Sequence, residues 1–145
     1  MNANKEVDRL KLQRVVQILL LLVVVSVFYY SWLPDSNMRS EHYLPQWLLR
    51  WSNTNFNIRT AVPFVAFGFL LGAYSFYKNE TVWKENLILF LFRNLGIATI
   101  VVLIAEGGQF LIANRSPDMM DVLYGILGSL IGGLMYQLFN KLIKS

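Results

Sequence analysis

The chain is 145 residues long, 55% hydrophobic and 15% charged, with a formal net charge of +4. That length suits one domain, and the charged fraction falls well below the ~25% of ordinary soluble domains. The absence of cysteine excludes disulfides, thiolate metal sites and cysteine nucleophiles. A lone His42 is too little for a histidine metal site or a Ser-His-Asp relay. No metal and no cofactor is expected. The apolar residues arrive in long blocks, and no soluble fold accommodates them. The reading is an all-α polytopic membrane protein with four transmembrane helices, plus a short interfacial amphipathic helix in the first loop.

The first span is expected over residues 15–33, a charge-free Leu/Val stretch close to the ~20 residues that cross a ~30 Å hydrocarbon core. Lys5, Arg9, Lys11 and Arg14 precede it, as in a signal peptide. The run is long for a signal h-region, however, and Ser-Trp-Leu-Pro follows it in place of a small-residue cleavage site. It reads as an uncleaved first helix.

In the loop that follows, Leu44, Trp47, Leu48 and Trp51 recur at i, i+3, i+4 and i+7, with Pro45 suited to a first turn. Tryptophan favours the membrane–water boundary, so a short helix lying on the membrane is expected there. Span two is placed at 60–77, with Gly68 and Gly72 one turn apart, and span three at 85–113, carrying Arg93 and Glu106. Span four, at 117–143, carries Gly125, Gly128 and Gly132 at helical spacing. Such glycines let helix backbones approach closely in lipid. They predict helix packing, and a homo-oligomer through the glycine faces is the further partner they suggest.

Four spans put both termini on one side. That side collects Lys5, Arg9, Lys11, Arg14, Lys78, Lys84, Lys141 and Lys144; the other has Arg39, Arg50, Arg59 and Arg115. The positive-inside rule then places both termini in the cytoplasm. The basic residues thus report orientation, and no nucleic-acid partner is expected.

The densest polar chemistry is Glu106-Gly-Gly-Gln109, then Arg115-Ser-Pro-Asp118-Met-Met-Asp121. With span three ending near 113, Glu106 would lie about 10 Å below the outer interface. A carboxylate at that depth must be paired, protonated or facing a wet cavity. Gln109 shares its face one turn on, and Asp118 and Asp121 suit the start of span four, where the helix dipole favours acids. Arg93, thirteen residues from Glu106, is roughly 20 Å away along the helix. Arg115 or Arg59 is therefore the expected partner of Glu106. A bland account remains open, in which these groups merely cap a helix and neutralise one another.

The stretches Ala105-Glu-Gly-Gly-Gln109, Arg115-Ser-Pro-Asp-Met-Met-Asp-Val122 and Gly128, with Ser31-Trp-Leu-Pro34 and Phe67-Gly-Phe-Leu-Leu-Gly72, together resemble the VanZ-like membrane protein family. Two positions depart from that family's pattern: Ala66 stands where a proline is usual, and Gly125 where an asparagine is usual. The resemblance implies a bacterial plasma-membrane protein related to one conferring low-level resistance to the lipoglycopeptide teicoplanin. Its polar positions carry over as Glu106, Gln109, Arg115, Asp118 and Asp121, to which the residue pattern adds Arg59 as a ligand-binding candidate.

Three functions compete. The first is an outer-leaflet binder of a membrane lipid, a lipid-linked cell-wall precursor or a lipoglycopeptide. The second is an intramembrane acid/base enzyme on a lipid-linked substrate, for which no nucleophile motif or phosphate loop speaks. The third is an assembly subunit.

Overall fold

A computed structural model describes residues 3–38, 41–78 and 87–144. Among them there are five helices and no strand: α1 (Ala3–Ser31), α2 (Gln46–Thr54), α3 (Phe56–Lys78), α4 (Leu87–Gln109) and α5 (Met119–Lys144). All but α2 are long and apolar enough to cross a membrane, over Glu6–Ser31, Phe56–Tyr77, Leu87–Gln109 and Met119–Ile143. The chain is a multi-pass all-α membrane protein.

The helix ends differ from the sequence reading in instructive ways. Helix α1 starts inside the basic segment rather than at 15, because Lys, Arg, Gln and Leu all favour helix. Helix α3 starts at Phe56, so Arg59 lies in its first turn, its N–H bonded to the Asn55 carbonyl at 2.8 Å.

Helix α4 ends at Gln109 instead of 113. The amides of Phe110, Leu111 and Ile112 donate three residues back, to Gly107, Gly108 and Gln109, and Asn114 turns the chain at φ 64°. Glu106 is therefore only three residues from the helix end, about 4.5 Å along the axis. The expected depth of 10 Å is corrected accordingly. The expected start of span three at 85, and most of the 78–84 loop, lie outside the described residues.

Helices α3 and α5 form the tightest pair and run parallel. A Cβ on Gly128 would meet the Ala61 carbonyl, one on Gly132 the Val65 carbonyl, and one on Gly68 the Ser129 carbonyl. The expected glycine packing is thus made within the chain, between successive turns of these two helices. Helix α4 runs antiparallel to α5, with Gly125 seated against Val102 and Phe64. Phe64, Ala98 and Val102 form the closed centre of the bundle.

Helix α1 leans on α3. At its N-terminal end the Arg9 guanidinium donates twice to the Tyr77 carbonyl, at 3.1 and 2.9 Å, a cation on the carbonyl-rich end of α3. Its outward residues Ile18, Leu21, Leu22 and Val25 are more than half exposed, as suits a surface that meets lipid.

Candidate ligand cavity

A cavity of about 300 Å³ lies at the end of the bundle where α1 and α4 finish and α3 and α5 begin. Its polar wall includes Ser31, Ser52, Arg59, Thr60, Glu106, Gln109, Arg115 and Asp121. Its deeper wall is apolar, formed by Val27, Pro63, Phe64, Val102 and Ala105. Five of the six residues singled out from the sequence therefore face one space: Arg59, Glu106, Gln109, Arg115 and Asp121.

Asp118 is the exception. Its Oδ1 accepts the Met120 N–H at 2.8 Å, and its carbonyl accepts the amides of Asp121 and Val122. It caps α5, as its place at the helix start predicts.

Glu106 is buried, and both its oxygens accept hydrogen bonds from neutral donors. Gln109 Nε2 reaches Oε1 at 3.0 Å, and the Asp118 N–H reaches Oε2 at 3.1 Å. The expected pairing with Arg115 or Arg59 is replaced by these two bonds. The early end of α4 explains the change, because the returning chain brings the Asp118 amide back to Glu106 before any guanidinium does.

The arginines have other work. Arg115 Nη2 donates to the Ser31 carbonyl at 2.8 Å, while its Nε–H is buried with no acceptor. Arg59 Nη1 donates to the Ser36 carbonyl at 2.9 Å and reaches Ser52 Oγ at 3.4 Å, tying α3 to α2. Asp121 Oδ1 accepts the Thr60 hydroxyl at 2.8 Å across the α3–α5 pair. Arg93 is exposed and thirteen residues from Glu106 on α4.

One relay fixes the Gln109 amide. The Ser31 hydroxyl donates to the Ala105 carbonyl at 3.1 Å, so its oxygen serves as acceptor for Gln109 Nε2 at 3.0 Å. Both hydrogens of that amide are then committed, one to Ser31 and one to Glu106. The Trp32 indole donates to the same Ala105 carbonyl at 3.0 Å and lies where a side chain on Gly108 would sit.

Helix α2 roofs the cavity. The stripe expected to face the membrane turns mostly inward: Leu44, Leu48 and Trp51 line the cavity, while Trp47 is left outside at 71% exposure. The exposed apolar surface of α2 therefore centres on Trp47, and its other apolar residues are cavity wall.

Sequence reasoning missed Ser31, Ser52 and Thr60 as part of the polar wall. Thr60 was the most accessible of these, since it adjoins Arg59 and follows Asn55 closely. Ser31 and Ser52 carry no local signal, because their role depends on contacts with α4 and α3. Among the described residues, no three His, Cys, Asp or Glu side chains gather into a set that could hold a metal ion. In particular, Asp118 is turned to its own helix.

No curated protein and no solved structure matches the chain. A family model does: the VanZ/LLP1 model matches residues 9–140. That match covers nearly the whole chain, cavity residues included, and the chain belongs to the VanZ/LLP1 family.

Proposed function

We propose that the protein binds the polar head of a lipid-linked or lipidated molecule at the outer leaflet of the bacterial plasma membrane, with both its termini in the cytoplasm. The observation that carries this is the gradient inside one cavity, from Arg59, Arg115, Glu106 and Asp121 at the helix ends to Val27, Phe64 and Val102 further in. A few convergent polar groups over an apolar floor are the usual composition of a small-molecule site. A lipid presents the matching order, head at the interface and chain toward the bilayer centre.

The size of the cavity bears on which ligand. At about 300 Å³ it lies at the small end of ligand sites, which run to roughly 1,000 Å³. A headgroup with its first carbons fits; a complete lipoglycopeptide, several times larger, does not. The teicoplanin resistance implied by the family resemblance is then best read as an effect on the antibiotic's lipid-linked target, or on its acyl tail alone. The cluster supplies no nucleophile, which keeps the enzymatic reading behind binding. The glycines that suggested self-association are engaged between α3 and α5, which weakens the case for an assembly role.

Native mass spectrometry of the purified protein with its co-purifying lipids tests the proposal. A specific lipid-linked molecule retained by the wild type and lost from Arg115→Ala is the expected result. Bulk phospholipid held equally by both proteins would leave the assembly role as the better account.

A further inference from the structure

The charges in the cavity have two signs, and among the described residues no hydrogen bond joins a guanidinium to a carboxylate there. Among the described residues, every hydrogen bond made by Arg59, Arg115, Glu106 and Asp121 goes to a neutral partner: a carbonyl, a hydroxyl, an amide N–H or the Gln109 side chain. If these groups only neutralised one another, guanidinium and carboxylate would close into bidentate pairs, the strongest geometry open to them. Instead each is fixed by a backbone or neutral side-chain contact from a different element. Arg115 also keeps a buried Nε–H with no acceptor, an arrangement that costs free energy until something supplies one. Asp121 gives Oδ1 to Thr60, and its other oxygen is the acceptor left for a ligand.

Resting on the binding proposal above, we infer that the polar end of the cavity takes a zwitterionic headgroup, with an anionic group for Arg59 and Arg115 and an ammonium for Asp121 and Glu106. A purely anionic head would meet two carboxylates, and a purely cationic head two guanidiniums; like charges brought together in a partly buried site are disfavoured. A head of both signs satisfies all four. A phosphate or carboxylate oxygen accepts from a guanidinium more strongly than a neutral sugar oxygen does. An ammonium with N–H donors fits Asp121 better than a trimethylated one, which has no proton to give.

The test offers the detergent-purified full chain an equimolar mixture of phosphatidylethanolamine, phosphatidylglycerol and phosphatidylcholine with identical acyl chains, read by native mass spectrometry. Phosphatidylethanolamine should exceed each of the others in the bound fraction by about tenfold. Asp121→Asn, which keeps volume and removes charge, should bring the ethanolamine-to-glycerol ratio to near one. The readout is a ratio within each spectrum, so partial loss of folded protein does not disturb it. Soluble O-phosphorylethanolamine is added as a competitor: displacement of the lipid identifies the free headgroup as sufficient, and retention identifies the lipid form, each in keeping with a zwitterion site. Phosphatidylglycerol bound as well as phosphatidylethanolamine, yet lost in Arg115→Ala, overturns the zwitterion while leaving the binding proposal intact. Equal binding of all three lipids, unchanged by Arg115→Ala, overturns both.

Discussion

Arg115 donates to the carbonyl of Ser31 at 2.8 Å, joining the turn before α5 to the last residue of α1 across 84 positions of sequence. The same side chain lines the cavity, and its Nε–H is buried with no acceptor. Arg115 is thus both a tie between helices and a cation in the cavity wall, and substitutions can separate the two roles.

Arg115→Ala should lower the unfolding free energy in detergent by about 1–2 kcal/mol, the scale of a partly exposed charge-assisted hydrogen bond. Arg115→Lys can still reach the Ser31 carbonyl but lacks the guanidinium fork. It should melt within a few degrees of wild type yet lose the retained ligand. A lysine variant that keeps the ligand would assign Arg115 to structure alone.

Glu106→Gln is close to isosteric, but it does not leave the local hydrogen bonds intact. Both carboxylate oxygens face donors, and the Gln109 amide cannot turn over without losing Ser31. The new NH₂ would therefore oppose an N–H, at a cost of about 1–3 kcal/mol for the unsatisfied group. Thermal unfolding of Glu106→Gln beside the double variant Glu106→Gln/Gln109→Glu checks this: the double variant should recover part of the loss if the direction of the Gln109–Glu106 bond is the cause.

Two glycines of different surroundings should respond oppositely. A Cβ on Gly128 meets the Ala61 backbone carbonyl, whereas one on Gly107 meets nothing within 4 Å. Gly128→Leu should fail through lost α3–α5 packing, by about 3 kcal/mol or more, with reduced protein in the membrane. Gly107→Ala should be neutral, or stabilising by up to about 1 kcal/mol through helix propensity. Membrane-level quantitation and detergent melting of the two variants decide the point.

Topology reporters fused after Ser145 or near Asn79 should read cytoplasm, and one within residues 36–55 should read outside. The basis is the eight-to-four asymmetry of basic residues. An external C-terminus would move the cavity to the inner leaflet and end the outer-leaflet proposal.

If the protein protects cells against teicoplanin, Arg115→Ala and Asp121→Asn should each abolish protection at normal membrane levels, while Gly107→Ala retains it. The measurement is a susceptibility series normalised to the amount of each variant inserted. Full protection by both charge variants would leave Arg115 and Asp121 with the tying of helices alone.

The spans were legible because each apolar block approaches bilayer thickness, and the glycine contacts because small residues at helical spacing have few other uses in lipid. Most of the polar wall was legible too, since Glu106 inside an apolar span calls for polar company, and the family resemblance marked Gln109, Arg115 and Asp121 beside it. The pairing within that wall was not. Whether Glu106 meets a guanidinium or the Asp118 amide depends on where α4 stops, and the tightened turn after Gln109 with the left-handed Asn114 ends it four residues before the apolar pattern does. The direction of α2 was hidden for a related reason. An amphipathic stripe states that one face is apolar, and the same stripe serves a lipid surface or the roof of a cavity.

The backbone contacts between α3 and α5 have a mechanical consequence. Where Gly128 and Gly132 lie on the carbonyls of Ala61 and Val65, no side chain intervenes that could change rotamer and let the helices slide. The pair is a stationary post, pinned at its cavity end by Thr60 and Asp121. Helix α1 is the opposite case: only 11% of its membrane-spanning window is buried, against 39% for α3, and its grip near the cavity rests on Ser31 and Trp32. Entry of a lipid head from the side should therefore be a displacement of the α1 end and of α2 against a fixed wall. Amide hydrogen exchange should register it as faster exchange in residues 26–32 and 46–54 than in the facing turns of α3 and α5.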